Sequence, residues 1–198
     1  MNIFDASSII KTGGYTALFA ILFSETGILI GFFLPGDSLL FTAGYLASAG
    51  YLNITTVIIV SFIAAVLGDA LGYSLGRKYG YKVFNSRFRF FPKEIVPKAQ
   101  VFYKKHGGKT IIFARFMPVI RTIAPILAGV GNMGYRLFAF YNLIGAIFWT
   151  VGISLLGYFL GKTIPNPDRY VLPVIAVIVI ISIIPSVVSV IRMRNKKG

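Results

Sequence analysis

Two long apolar stretches of this chain are broken in their middles, and the breaks constrain the fold more than any other feature. Residues 25–50 carry Pro35-Gly36-Asp37, and residues 110–133 carry Pro118, Arg121 and Pro125 together with Arg115. Proline removes a backbone donor and clashes with the preceding turn, so a regular helix is interrupted at each site. A half-helix of about ten residues rises ~15 Å, half of a ~30 Å hydrocarbon core. Each stretch therefore fits a re-entrant helical hairpin that reaches the midplane and turns back; the plainer alternative is two proline-kinked spanning helices. Broken backbone at that depth must be enclosed by protein or line a wet cavity.

Apolar runs recur along nearly all 198 residues, 56% of which are hydrophobic, with no separate soluble segment. The chain reads as an all-α polytopic membrane protein, a single transmembrane domain over residues 1–198. Three segments have the length and flanks of ordinary spanning helices: 54–76, 135–161 and a C-terminal one at 171–191. The N-terminal run 15–34 contains Glu25 and lacks a convincing small-residue cleavage site, so it reads as a retained helix and not a signal peptide. There is no cysteine, and the lone His106 lies among lysines. Neither a metal site nor a cofactor is expected.

The net charge of +14 is concentrated. Ten Lys/Arg fall between Arg77 and Lys109, and Arg192, Arg194, Lys196 and Lys197 close the chain. By the positive-inside rule both regions are expected to be cytoplasmic, where they would also meet anionic lipid headgroups. Nucleic acid is not expected as a partner, because nothing supplies a base-reading element beside the charge.

The two halves resemble each other. Phe33-Leu34-Pro35 recurs as Phe116-Met117-Pro118, Ala43-Gly44 as Ala128-Gly129, and Gly72-Tyr73-Ser74-Leu75-Gly76-Arg77 as Gly157-Tyr158-Phe159-Leu160-Gly161-Lys162. Each half reads as a broken hairpin followed by a spanning helix, repeat 1 over about 25–77 and repeat 2 over about 110–162, joined by the basic connection 77–110. If that connection is inside, the first hairpin enters from outside and the second from inside, so the repeats are inverted. Inverted repeats with discontinuous helices are common in secondary transporters, an analogy at the level of fold.

Within these apolar stretches lie five ionisable side chains, Glu25, Asp37, Asp69, Arg115 and Arg121, in a chain with six acids in total. A charge near the bilayer centre costs about 2.5–3.5 kcal/mol on insertion scales, so these groups must pair, titrate or hold a substrate. Asp37 and Ser38 are good N-cap types after the Pro35-Gly36 turn, and a carboxylate at that depth is also a candidate proton carrier. Glu25 has no capping role available and is the stronger proton-coupling candidate. Arg115 and Arg121 stay charged and need anions. They pair with Glu25 and Asp37, or at least one binds a phosphate bidentately, helped by a half-helix N-terminus at Thr122; the two are not exclusive, since a protonated acid releases its arginine. Asp69 stands apart on a spanning helix beside the glycine face 68, 72 and 76, in a supporting role that is either packing or hydrogen bonding, or else transport. Tyr73, Trp149 and Tyr158 read as packing or interfacial residues. Asn53-Ile54-Thr55 fits a glycosylation acceptor, a pattern too frequent to weigh. No nucleophile motif, P-loop or paired-carboxylate signature is present, so no enzymatic activity is expected.

These segments resemble the DedA family of bacterial integral membrane proteins, whose shared region is also called the SNARE-associated or VTT domain. The resemblance covers roughly Glu25 to Lys162 and rests on Glu25; Phe33 through Ser38; Gly68-Asp69 with Gly72-Tyr73 and Gly76-Arg77; His106-Gly107-Gly108-Lys109; and Phe113 through Gly129. It implies a lipid translocase of the cytoplasmic membrane with opposed re-entrant hairpins, dependent on the proton gradient. Glu25 and Asp37 match the family's acids, and Arg115 and Arg121 its arginines. The implied substrate is undecaprenyl phosphate returning to the cytoplasmic leaflet, or alternatively phosphatidylethanolamine. A small-ion or proton transporter acting on lipids indirectly is the reading from another class. The expected partners are the lipid and protons, with a homo-oligomer left open.

Overall fold

The structure, a computed structural model, describes residues 6–27, 36–85, 101–103 and 105–163. Pro35, residues 86–100 and 104 of the basic connection, and the C-terminal helix expected at 171–191 lie outside the described residues. Six helices are labelled in chain order: α1 (Ala6–Gly27), α2 (Gly36–Ser48), α3 (Ile54–Asn85), α4 (Lys109–Arg115), α5 (Pro118–Val130) and α6 (Tyr135–Thr163). Residues 101–103 and 105–106 are also helical, and no strand occurs among the described residues.

Length separates these helices into two kinds. Among the described residues, Ile54–Gly80 of α3 and Tyr135–Thr163 of α6 are long and apolar enough to cross a membrane. The 13-residue helices α2 and α5 rise only about 20 Å each, short of a ~30 Å core. α4, at 7 residues, is shorter still. α3 and α6 both run past the ends expected from sequence, to Asn85 and Thr163. α1 is kinked at Gly14, whose φ of 55° only glycine adopts readily. The start of α3 is set by Asn53, whose side-chain oxygen accepts from the amides of Thr55 (2.9 Å) and Thr56 (3.2 Å). Asn53 is thus an N-cap. Its own amide donates to the Tyr15 hydroxyl.

The chain divides into two compact units. One holds α1 up to Phe19, α2, α3 up to Ser61 and α6 from Thr150; the other holds the end of α1, the rest of α3, α4, α5 and α6 up to Trp149. In the first unit α2 is buried on nearly every side, as a helix apolar all round requires. It packs on α6 backbone to backbone: a Cβ at Gly44 would strike the Ser154 backbone, and one at Gly157 the Phe41 carbonyl. In the second unit α5 packs on α3 in the same manner. A Cβ at Gly129 would strike the Tyr73 carbonyl, and one at Gly76 the Ile126 carbonyl. The glycines that recur between the halves, 44 with 129 and 72 and 76 with 157 and 161, thus serve two like interfaces. Small residues let helices approach in this way where lipid offers no hydrophobic drive.

At one end of the second unit Tyr73, Tyr103, Ile111, Ala128, Met133 and Phe138 form a buried cluster. Tyr73 stacks on Phe138 at 4.6 Å, donates to the Met133 carbonyl, and accepts from Arg77 Nη1 at 2.7 Å. Tyr103 donates to the Ala124 carbonyl at 3.0 Å, and burial pushes its hydroxyl up to about 12, so it remains a donor at neutral pH. α5 ends at a turn in which Asn132 takes the left-handed conformation (φ 54°).

These interfaces lead to a test on single methyl groups. Gly76→Ala and Gly157→Ala should each destabilise the folded protein by about 1–3 kcal/mol, because the added carbon meets backbone that cannot move aside. Gly152→Ala, where nothing lies within 4 Å, should melt with the wild type in detergent.

Candidate functional site

The site is built around the two-residue break between α4 and α5. Pro118 disfavours helical backbone at the residue before it, and Met117 accordingly sits at φ −110°, ψ 108° as the N-cap of α5. Pro118 itself occupies the first helical turn, where its missing N–H costs nothing. The chain therefore leaves α4 at Arg115 and re-enters a helix so that Arg121 lies in the first turn of α5, its amide donating to the Met117 carbonyl at 2.9 Å. Both guanidiniums are carried inward, with Arg115 5% and Arg121 9% exposed.

Each finds its own carboxylate. Arg115 is paired with Asp69 from the middle of α3, and Arg121 with Glu25 near the end of α1. Arg115 Nη2 also donates to Asn142 Oδ1 at 2.7 Å, while Asn142 Nδ2 donates to the Val66 carbonyl at 3.4 Å. Trp149 places its ring 5.7 Å from the Arg115 guanidinium and 5.0 Å from that of Arg121, inside the ~6 Å reach of cation–π attraction. Asn142, Gly145 and Trp149 recur at helical spacing on α6, and Gly145 leaves room for the Arg115 stem, 3.5 Å from where a Cβ would sit. Thr26, Asp69, Arg115, Arg121 and Trp149 enclose a cavity of about 10 Å³, the space of about one water.

Several sequence expectations change here. Asp69 does not stand apart: it is the acid of Arg115, the place the sequence reading offered to Glu25 or Asp37. The reason is tertiary, because close α3–α5 packing across Gly72 and Gly76 sets the neighbouring Asp69 beside the α4–α5 break. Thr122 does not open a half-helix. α5 begins four residues earlier at Pro118, so Thr122 is a buried second-turn residue, and in the turn before it the amides of Ile120 and Arg121 already donate to the Met117 carbonyl. Pro125 lies inside α5 and faces Gly72. Asp37 and Ser38 fall in the first turn of α2, after Gly36, in the other unit; Asp37 is half-buried and Ser38 is 1% exposed. Sequence reasoning missed Asn142 and Thr26 and gave Trp149 a packing or interfacial role. A polar Asn142 one heptad before Trp149 on an otherwise apolar helix was the available signal. Among the described residues no group of His and acids could hold a metal ion.

What this arrangement can do chemically is exchange anions. Two guanidiniums and two carboxylates form a neutral buried set, and protonating or displacing one acid frees a forked donor that suits a phosphate. Breaking such a pair from one side leaves a buried charge, so Arg115→Ala should cost about 3–5 kcal/mol in unfolding experiments. Asp69→Asn combined with Arg115→Gln should recover most of that loss, whereas additive losses would mean that the two side chains act independently.

The VTT domain pattern matches residues 34–159. The chain is 48% identical over 184 residues to the Escherichia coli protein named Protein DedA, covering 91% of this chain and 84% of that one. It is 37% identical over 195 residues to an uncharacterized membrane protein of Mycobacterium tuberculosis (97% and 85% covered), and 35% identical over 150 residues to the Escherichia coli inner membrane protein YqjA (75% and 68% covered). No solved structure matches. Relatives named as membrane proteins, together with two helices long and apolar enough to cross a membrane, place the chain in a membrane. With a domain match over more than half its length and a relative at 48% identity over nearly all of it, the chain belongs to the DedA family of VTT-domain membrane proteins.

Proposed function

We propose that the protein carries the phosphate headgroup of a polyprenyl phosphate, undecaprenyl phosphate, across the cytoplasmic membrane in a proton-linked cycle. The observation that carries this reading is the buried pair of arginines, each held by an acid around one small cavity. A lipid with a phosphate head needs only that head to cross, since its hydrocarbon stays in the bilayer throughout. Arg121, in the first turn of α5, also lies at the positive end of that helix's dipole, which favours an anion.

In this reading Arg115 and Arg121 bind phosphate oxygens. Glu25 and Asp37 couple the step to protons, and Asp69 holds Arg115 while no lipid is bound. A proton arriving on Glu25 removes the counter-charge of Arg121, and the phosphate takes its place. When the proton leaves, the carboxylate competes for the guanidinium again and expels the headgroup. The short helices α2, α4 and α5 belong to two re-entrant hairpins of inverted repeats, with the 77–109 connection and the C-terminus on the cytoplasmic side. The mixture of acids and arginines gives a second reading some support: a zwitterionic phosphatidylethanolamine headgroup, carrying both a phosphate and an ammonium, would suit it.

Reconstituted protein should accelerate headgroup transfer of polyprenyl phosphate in proteoliposomes, faster with an imposed pH gradient. Arg121→Ala should remove the acceleration. Transfer that Arg121→Ala leaves unchanged in a folded protein would overturn the reading. Transfer of phosphatidylethanolamine indifferent to the gradient would favour the second, and proton flux in the absence of any lipid substrate would favour an ion transporter.

A further inference from the structure

Trp149 has a place that neither the ion pairs nor the phosphate chemistry accounts for. It is 3% exposed on α6, and its ring lies against the guanidiniums of both Arg115 and Arg121. These two arginines flank the α4–α5 break, Arg115 ending one helix and Arg121 in the first turn of the next. Their carboxylates come from two different helices, Asp69 on α3 and Glu25 on α1. Two like charges this near one another in a low dielectric repel, and the acids oppose that only while ionised and in place. Any exchange of carboxylate for phosphate passes through a moment when one guanidinium has lost its acid. An aromatic face attracts a cation through its quadrupole whatever the protonation state of nearby carboxylates, and indole does so best.

We propose that Trp149 is a positioning residue of the phosphate site, its indole holding Arg115 and Arg121 side by side while they exchange carboxylate for phosphate oxygens. The proposal rests on the phosphate reading above. It separates two jobs within one cluster: the acids neutralise the guanidiniums at rest, and the ring keeps their spacing during exchange. Asn142, on the same face of α6, adds a neutral acceptor for Arg115 that protonation does not remove. It therefore assists at one arginine, whereas the ring serves both.

The chain contains a single tryptophan, so biosynthetic replacement of tryptophan by its mono-, di- and trifluoro analogues alters position 149 alone. Fluorine withdraws electron density from the ring face with little change in its size. The expected result is a stepwise fall in polyprenyl phosphate transfer, reaching about tenfold for the most substituted ring, with an unchanged melting temperature. Trp149→Phe should keep an intermediate rate, and Trp149→Leu should fall at least as far as the trifluoro protein. A flat series while Arg121→Ala still abolishes transfer would overturn the role of Trp149 and leave the phosphate reading standing. Unchanged transfer in Arg121→Ala would overturn both. A melting temperature that falls in step with transfer would assign the ring to packing and also overturn the proposal.

Discussion

Two arginines that cannot be neutralised by losing a proton are buried at a break in a helix, and the rest of the second unit is arranged to satisfy them. Arginine stays charged, so burial commits the fold to an anion for each guanidinium. Asp69 and Glu25 meet that need from α3 and α1, and Asn142 and Trp149 complete it from α6. Three helices are thereby tied to a break of two residues. Pairing of this kind adds little net stability compared with a packed apolar core, but losing one partner is expensive.

The glycines supply the geometry for those pairs. Carboxylate and guanidinium meet only because α5 lies against α3 closely enough for backbone to touch backbone, at Gly76 with Ile126 and at Gly129 with Tyr73. The same device holds α2 against α6 at Gly44 and Gly157. Both short helices that follow a break are thus seated on a long helix from the other half of the sequence. α2, of the first half, rests on α6, and α5, of the second half, rests on α3.

Much of this was legible in the sequence because the signals are local. Pro118 announces the break, the apolar runs of α3 and α6 announce spans, and recurring glycines announce close packing. The two arginines and Glu25 stood out as charges where none should be. An arginine paired with Glu25 is among the expectations and is found at Arg121; what was not legible was that Asp69, and not Asp37, faces Arg115. Asp69 looked peripheral because its neighbours in sequence form a glycine face, and only the seating of α5 on that face shows which charge lies opposite. Trp149 looked like an ordinary apolar anchor for the same reason: an indole is equally at home in lipid, in a core or over a cation, and sequence spacing does not choose among them. The start of α5 was misjudged at Thr122 because Pro118 was weighed as a breaker, whereas proline is at ease in a first turn.

The central claim is that a guanidinium of this cluster leaves its carboxylate for a lipid phosphate. Solid-state NMR with guanidinium-carbon-labelled arginine and phosphorus detection measures that contact directly. The protein would be reconstituted with polyprenyl phosphate in a phosphorus-free glycolipid bilayer, and the Arg121 signal identified by its absence in Arg121→Lys. The account predicts a short-range carbon–phosphorus coupling at Arg121 that strengthens as acid protonates the carboxylates. Absence of that coupling at every pH, while the lipid is being transported, would contradict it.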